Sequence, residues 1–351
     1  MVRLSLLLVL SLSLGALGAK TGAKGSTKAA AKKADDGRCS ASKLCPKTAP
    51  CCSSAGYCGS GAEHCLAGCN PTSSFSPLSC RALPRCNARA IDFTNSRNPT
   101  VPLAQYNGDP STAQMTLDSG VLRTGAQGLY ATVGQSGEAA AGATISTTDY
   151  IMYGRVTATM RHKNDKGVVG TFIFFSPTGD EIDFEITAGK ARQVQLNMFW
   201  QGQSLHGADG NSQIITMPQG FDTADWHAYT LDWNAQRIVY SIDGQAVKTI
   251  YRKDFKDDKG RFQYPATPMR AQVSVWDSSR MAKGTQKWTG GKPDYANADQ
   301  YGTFTTQLKS LTIECNDPSS LSAGRNYGFS KKLDAKSGEP AVIGTDRAST
   351  V

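Results

Sequence analysis

Three acidic side chains alternate over five residues: Glu181, Asp183 and Glu185, within the stretch from Gly179 to Ile186. Period-2 alternation of this kind reads as a β-strand. The three acids then share one face, and Ile182, Phe184 and Ile186 share the other. Like charges held this close repel, so a packed strand carries them only where chemistry requires them. That chemistry is glycoside hydrolysis, with one carboxylate as nucleophile and one carboxylic acid as proton donor on either side of a glycosidic bond. Mutual repulsion raises the pKa of one carboxyl and keeps it protonated near neutral pH. Strand rise separates the Cα atoms of Glu181 and Glu185 by roughly 13 Å. Their side chains must therefore lean together over Asp183 to reach the about 5–5.5 Å of a retaining pair. A merely solvated charged strand face is the bland alternative. It fits poorly, because Thr171 to Phe175 and Val194 to Trp200 read as neighbouring strands of a packed sheet.

The elements that must position this trio also read as strands. From Asn87 to Asn316 short runs of alternating apolar and polar residues are broken by Gly, Asn, Asp and Pro. Examples are Gly154 to Met160, Tyr229 to Trp233, Arg237 to Ile242 and Met269 to Trp276. Asp243-Gly244 between two such runs is a strong hairpin signal. Helical periodicity is scarce and no internal repeat of fixed period is present, which is the pattern of an all-β sandwich. Other catalytic schemes find little support. The four histidines, His64, His162, His206 and His227, show no metal-ligand spacing. There is no G-x-S-x-G elbow and no Gly-rich phosphate loop. No metal and no cofactor are expected.

Length and composition frame these elements. The 351 residues suggest two domains. Met1 to Ala19 combines Arg3, an apolar run and a small-residue end, and reads as a secretory signal peptide, residues 1–19. Its apolar run is too short to be expected to span a bilayer. The net charge of +9 is fed by Lys20, Lys24, Lys28, Lys32 and Lys33, which fall in a basic low-complexity linker over 20–38. A nucleic-acid partner is therefore not expected, whereas loose adhesion to acidic polymers fits. No Asn-x-Ser/Thr acceptor occurs. Residues 317–351 read as a polar tail without the hydrophobic end of a GPI signal. Ten cysteines fit an exported chain. Seven of them, Cys39, Cys45, Cys51, Cys52, Cys58, Cys65 and Cys69, crowd into a segment too short to build its own core. Cross-links must hold the module over 39–86. Export and the lack of matched His or Cys pairs argue against zinc.

Glu181-Ile-Asp-Phe-Glu185 resembles the E-x-D-x-E signature of glycoside hydrolase family 16, whose members are concanavalin-like jelly-roll β-sandwiches. The resemblance implies Glu181 as nucleophile, Asp183 as the assisting acid and Glu185 as proton donor and later base, with 87–316 as the catalytic domain. Trp226-His-Ala-Tyr-Thr-Leu-Asp-Trp233 resembles another family strand, although core packing is the preferred reading of its aromatic residues. Asn197-Met-Phe-Trp200 resembles a strand that lines the cleft. Met269 to Trp276, followed by Gly284-Thr-Gln-Lys-Trp-Thr-Gly-Gly291, narrows the resemblance to the fungal Crh/Utr2 cell-wall transglycosylases. By that resemblance Gln272, Trp276 and Thr285 bind the sugar chain beside Glu185, with Asn197 and Trp288 as further binding candidates. The chemistry agrees, since an indole stacks on a pyranose face and amides or hydroxyls select its hydroxyl groups. Core packing is an equal alternative for Trp288. Phe184 stands where the family often has Trp, on the face away from the carboxylates, so little functional effect is expected.

The resemblance implies cleavage of β-1,4-linked chitin and transfer to β-glucan or chitin acceptors during fungal wall assembly. One alternative is a family-16 hydrolase of β-1,3 or β-1,3/1,4 glucan. Another is a non-catalytic chitin-binding wall protein, disfavoured because all three carboxylates are present. The run from Cys45-Pro46 through Cys51-Cys52-Ser-Ser-Ala-Gly-Tyr-Cys58-Gly59 resembles the hevein-type chitin-binding module, carbohydrate-binding family 18. It implies the pairs Cys39–Cys52, Cys45–Cys58 and Cys51–Cys65, with Ser53 hydrogen-bonding an acetamide and Tyr57 stacking on a sugar. The chain departs from the pattern in a short first inter-cysteine loop and in Ala55 and His64, where aromatic residues are usual. For the remaining cysteines the expected pairs are Cys80–Cys86 and Cys69–Cys315. Cys69–Cys80 with Cys86–Cys315 is the open alternative. The expected protein is a secreted monomer of the cell wall. Crh-like proteins often carry a Ser/Thr-rich stalk and a GPI anchor, and here this chain departs from them.

Overall fold

Apolar residues at every second position bury one face of each strand, and two antiparallel sheets stack on those faces. The computed structural model describes residues 37–95, 100–187, 191–205, 213–333 and 340–350. The stretches expected as signal peptide and linker, up to residue 36, and His206 lie outside the described residues. One sheet has nine strands. Along it lie Gln203–Ser204, Gln193–Trp200, Glu181–Thr187, Val168–Phe175, Arg270–Asp277, Ala143–Thr147, Met115–Ser119 and Thr100–Pro102, with Gln213–Thr216 beside Gln193–Trp200. The other has eight and is centred on Gly154–His162 and Thr303–Cys315. Among the described strands the one parallel pair joins Thr100–Pro102 to Met115–Ser119, and an isolated parallel bridge links Arg85 to Tyr150.

The core fills the space between the sheets. Ile182, Phe184 and Ile186 point into it, where they meet Tyr229, Trp233 and Tyr240 of the facing sheet. The Phe184 ring centroid lies 5.4 Å from both Tyr229 and Tyr240, edge-on, and 6.3 Å from the stacked Phe172. Each such buried ring contributes roughly 1.5–3 kcal/mol. The expected packing role of Tyr229 and Trp233 agrees with this placement. Trp226 instead lies outside, its ring 4.7 Å from the Arg161 guanidinium. Asp243 and Gly244, with φ of 49° and 78°, make the tight turn between Arg237–Ile242 and Gln245–Tyr251. Both positive values belong to the hairpin turn that this dipeptide favours.

Five disulfides staple the cysteine-rich segment. Cys39–Cys52, Cys45–Cys58 and Cys51–Cys65 form. The expected pairs Cys80–Cys86 and Cys69–Cys315 do not. Cys69 bonds Cys80 and Cys86 bonds Cys315, with Cα separations of 5.6 and 5.8 Å. The cause is the backbone between Cys80 and Cys86. Leu83–Pro84 is extended and pairs with Asn326 and Tyr327. That pairing carries the chain away from Cys80 and brings Cys86 to Cys315, while Cys80 stays within the ~7 Å reach of Cys69 that a disulfide needs.

The segment expected as a polar tail is also folded where it is described. Asn326–Leu333 and Pro340–Thr345 pair, and with Leu83–Pro84 they make a three-stranded sheet. Tyr327, Phe329 and Leu321 are buried in the main core, which explains why the segment docks. Arg85 donates to Asp317 at 2.9 Å, and Arg347 donates to the carbonyls of Leu78 and Cys80. The cysteine module is thus fastened to the sandwich through Cys86–Cys315 and through this late hairpin. Among the described residues no helix is long and apolar enough to cross a membrane.

Candidate active site

The strand Glu181–Thr187 sits between Val168–Phe175 and Gln193–Trp200. Its core face is fixed by Ile182, Phe184 and Ile186, so Glu181, Asp183 and Glu185 face away from the core. A tight turn starts the strand. Gly179 has φ 89°, and a Cβ there would lie 2.9 Å from the Gly202 nitrogen. Asp180 is fully buried. It accepts from the backbone of Gln201 at 3.1 Å, from that of Ala266 at 2.9 Å and from the Thr267 hydroxyl at 2.7 Å. Asp180 therefore anchors the turn and takes no part in the acidic face.

The three carboxyls meet. Asn197, directly across from Asp183, donates Nδ2 to Asp183 Oδ1 at 2.6 Å and to Glu185 Oε2 at 2.7 Å. A hydrogen bond also joins Asp183 to Glu181. Between two carboxyl groups one must carry a proton to donate. Asp183 is 1% exposed, whereas Glu181 and Glu185 are half-buried and reachable. Burial, then the charges of Glu185 and Glu181, push Asp183 well above the usual carboxylate range. It is the natural holder of the shared proton, with Glu181 as acceptor. Burial, then the charge of Glu185, raises Glu181, and the hydrogen bond from Asp183 opposes that rise. Burial pushes Glu185 up to about 7, against the opposing pull of the Asn197 amide. Asn197 is itself held, because its carbonyl accepts from the Tyr240 hydroxyl at 2.6 Å. No cation pairs with the trio among the described residues.

Strand register places the other candidates. Residues opposite one another in adjacent strands point to the same face. Gln272 is opposite Ile173, which is opposite Asp183, so it shares the acidic face two strands away. Trp276, half-buried, follows at the Glu185 end of the same strand. Thr285 and Trp288 lie in the short helix Lys283–Trp288 of the next loop, both half-buried. The centroids of Trp276 and Trp288 are 6.0 Å apart, tilted by 31°. Trp288 therefore packs on the site side and not in the core between the sheets. Phe184 faces away from the carboxylates, as expected. In the small module Tyr57 is 39% exposed, with the Arg38 guanidinium 4.9 Å from its ring centroid. The Ser53 hydroxyl there accepts from the Tyr57 backbone at 3.3 Å.

Two features escaped the sequence reading. Gln195 lies opposite Glu185 and accepts from Trp288 Nε1 at 2.8 Å. It occupies the position two before Asn197, so alternation alone puts both on the acidic face. Thr171 and Ser274 continue the Glu185 row across the sheet and share a 2.7 Å hydroxyl contact. The result is a sheet face with an acidic trio with which no cation pairs among the described residues, neutral polar groups beside Glu185 and an aromatic pair at one end. Such a face can protonate and attack a glycosidic bond.

Comparison with known proteins agrees. Residues 94–297 match glycosyl hydrolases family 16. The chain belongs to this family and is a glycoside hydrolase or transglycosylase. Within the family it belongs with the Crh-like proteins. Crh-like protein 2 of Aspergillus fumigatus is 33% identical over 312 residues, 86% of this chain and 68% of that protein. Crh-like protein UTR2 of Candida albicans is 33% identical over 293 residues, 81% of this chain and 60% of that protein. The chain thus spans about three fifths to two thirds of these relatives. Among solved structures, the Crh5 transglycosylase in complex with NAG aligns with a TM-score of 0.56 and 27% identity, covering 72% of this chain and 94% of that one.

Proposed function

We propose that this chain is a retaining transglycosylase that cleaves chitin and passes the cleaved chain to a β-glucan or chitin acceptor in the fungal wall. The observation that carries this is the single Asn197 amide bridging Asp183 and Glu185 while Asp183 bonds Glu181. Glu181 attacks the anomeric carbon, and the bond from that carbon to the leaving oxygen breaks. Glu185 gives its proton to the leaving oxygen. Asp183 steadies Glu181 through their shared proton. In the second step Glu185, now a carboxylate, takes the proton of an acceptor hydroxyl. That oxygen displaces Glu181 from the anomeric carbon, which restores both side chains and retains configuration. A sugar hydroxyl as acceptor gives transfer, and water gives hydrolysis. Gln272, Trp276, Thr285 and Trp288 hold the chain beside Glu185, with indole stacking on pyranose faces. The likeness to a Crh5 transglycosylase in complex with NAG supports an N-acetylglucosamine donor.

In the same reading 1–19 directs secretion, 20–38 is a linker, 39–86 is a chitin-binding module using Ser53 and Tyr57, and 87–316 is the catalytic domain of a wall-located monomer. Disulfides persist in oxidising compartments, which fits the five described here. The test is mass spectrometry of products from labelled chito-oligosaccharide and laminari-oligosaccharide mixtures. Hybrid products containing N-acetylglucosamine are expected. Turnover of laminari-oligosaccharides alone would replace this reading with a glucan hydrolase, and chitin pull-down without turnover would replace it with a binding protein.

A further inference from the structure

The loop after Arg270–Asp277 is fastened on the far side of the acidic face. In sheet order that strand is followed by Val168–Phe175, Glu181–Thr187 and Gln193–Trp200. The bond from Trp288 Nε1 to Gln195 Oε1 therefore joins the loop of the first strand to the fourth. That is three inter-strand steps, roughly 14 Å. The base of the loop is fixed independently. The Thr289 carbonyl accepts from Gly167 at 2.8 Å, the Thr289 hydroxyl bonds that of Ser278 at 2.8 Å, and Gln286 donates to the Met281 carbonyl at 2.9 Å. Among the described residues no other hydrogen bond ties residues 278–293 to the Gln193–Trp200 strand.

We propose that Gln195 is a positioning residue: it clasps Trp288 over the Glu185 row and so sets the aromatic wall that Trp288 forms with Trp276. This rests on the reading of the face as a sugar-transfer site. The residue type follows from two demands. The indole N–H is partly withdrawn from water and needs an acceptor, since an unpaired buried donor is costly. The acceptor must also be neutral, because Gln195 stands directly opposite Glu185 and a further carboxylate there would hold the Glu185 proton more tightly. A glutamine meets both demands. A leucine meets only the second, and a glutamate only the first.

The experiment compares steady-state kinetics on chito-oligosaccharides for the full chain and for Gln195→Leu, Trp288→Phe, the double variant and Gln195→Glu. Loss of one such bond is expected to raise KM about tenfold in Gln195→Leu, with kcat changed far less. Trp288→Phe should behave alike, and the double variant should be no worse than either, because both remove the same bond. Gln195→Glu keeps the acceptor oxygen. Its KM should stay within about threefold of wild type while the alkaline limb of the rate moves up by about one pH unit. An unchanged KM in Gln195→Leu, or fully additive effects, overturns the clasp. If Gln195→Leu does not fold, Gln195→Glu decides: a raised KM with an unmoved limb overturns it. If the wild type turns over no chitin, the transfer reading fails separately. Tryptophan emission still reports the clasp, as a red shift caused by Gln195→Leu in the wild-type but not in the Trp288→Phe background. No such shift overturns it.

Discussion

Two buried charge clusters share one face of the nine-stranded sheet and differ in one respect. Around Asp118 the charge is answered. Arg270 donates to Asp118 at 2.8 Å and to the Thr147 carbonyl at 2.6 Å, and Ser146 adds a donor to Asp118 at 2.6 Å. Around Asp183 it is not. Asp183 and Glu185 share one amide donor, Asn197, Glu181 bonds only Asp183, and no cation pairs with the three among the described residues. The two clusters are close in the sheet: Arg270 is opposite Phe175, which is opposite Glu181. A charge that is buried and paired holds its place. Charges that are buried together without a counter-ion shift their pKa values instead, and such groups concentrate where protons are moved. The contrast separates scaffold from chemistry on one surface.

Substitution should break the two clusters in opposite ways. The largest effect is expected for Glu181→Gln. Turnover of chito-oligosaccharides should fall at least about a thousandfold, because the proposed nucleophile is gone. Thermal unfolding should occur at the same or a higher temperature, since one repelling charge is gone. Retained turnover would falsify the nucleophile assignment. Asp183→Asn comes next, with an expected loss of about a hundredfold in kcat and little change in KM, the scale of a lost proton-sharing partner. Asp118→Ala should do the reverse. It strands the Arg270 guanidinium, whose side chain is 5% exposed. Denaturant unfolding should show a loss of about 3–5 kcal/mol, while kcat of the remaining folded enzyme changes little. A neutral Asp118→Ala would show that the pair is not the scaffold it is taken for.

The sequence shows one of these clusters far better than the other. Glu181, Asp183 and Glu185 alternate within five residues, so their shared face follows from strand periodicity alone. Asp243-Gly244 is legible for the same local reason. Asp118 and Arg270 stand 152 residues apart, and nothing local marks them as partners. The same distance hides the Cys86–Cys315 bond, 229 residues apart, where a nearby Cys80 looked the simpler partner until the extended Leu83–Pro84 backbone excluded it. Tyr327 and Phe329 carried a period-2 signal in a polar stretch, but their burial depends on pairing with Leu83–Pro84 from the other end of the chain. Gln195 was hidden differently. It lay on a strand already read as such, yet an amide has no chemical signature until its partner Trp288 is seen.

The subtlest prediction turns on pH. Glu185 is raised from an ordinary 4.5 to about 7 by burial. The folded chain therefore holds this proton more tightly than the unfolded chain does. Where pH lies between the two values the native state binds more protons, so unfolding free energy falls as pH rises. The stabilisation from a neutral Glu185 is complete below about pH 4.5 and gone above about pH 7. Glu185→Gln cannot ionise, so its stability should fall less steeply across that window in parallel denaturant titrations. In the wild type kcat/KM for chito-oligosaccharides should decline as pH rises through about 7, since the free enzyme then lacks its proton donor. If the two proteins lose stability in parallel from pH 4.5 to 7, the proton sits elsewhere in the trio. Asp183 would then be the group to titrate next, because it bonds Glu181 and shares the Asn197 donor with Glu185.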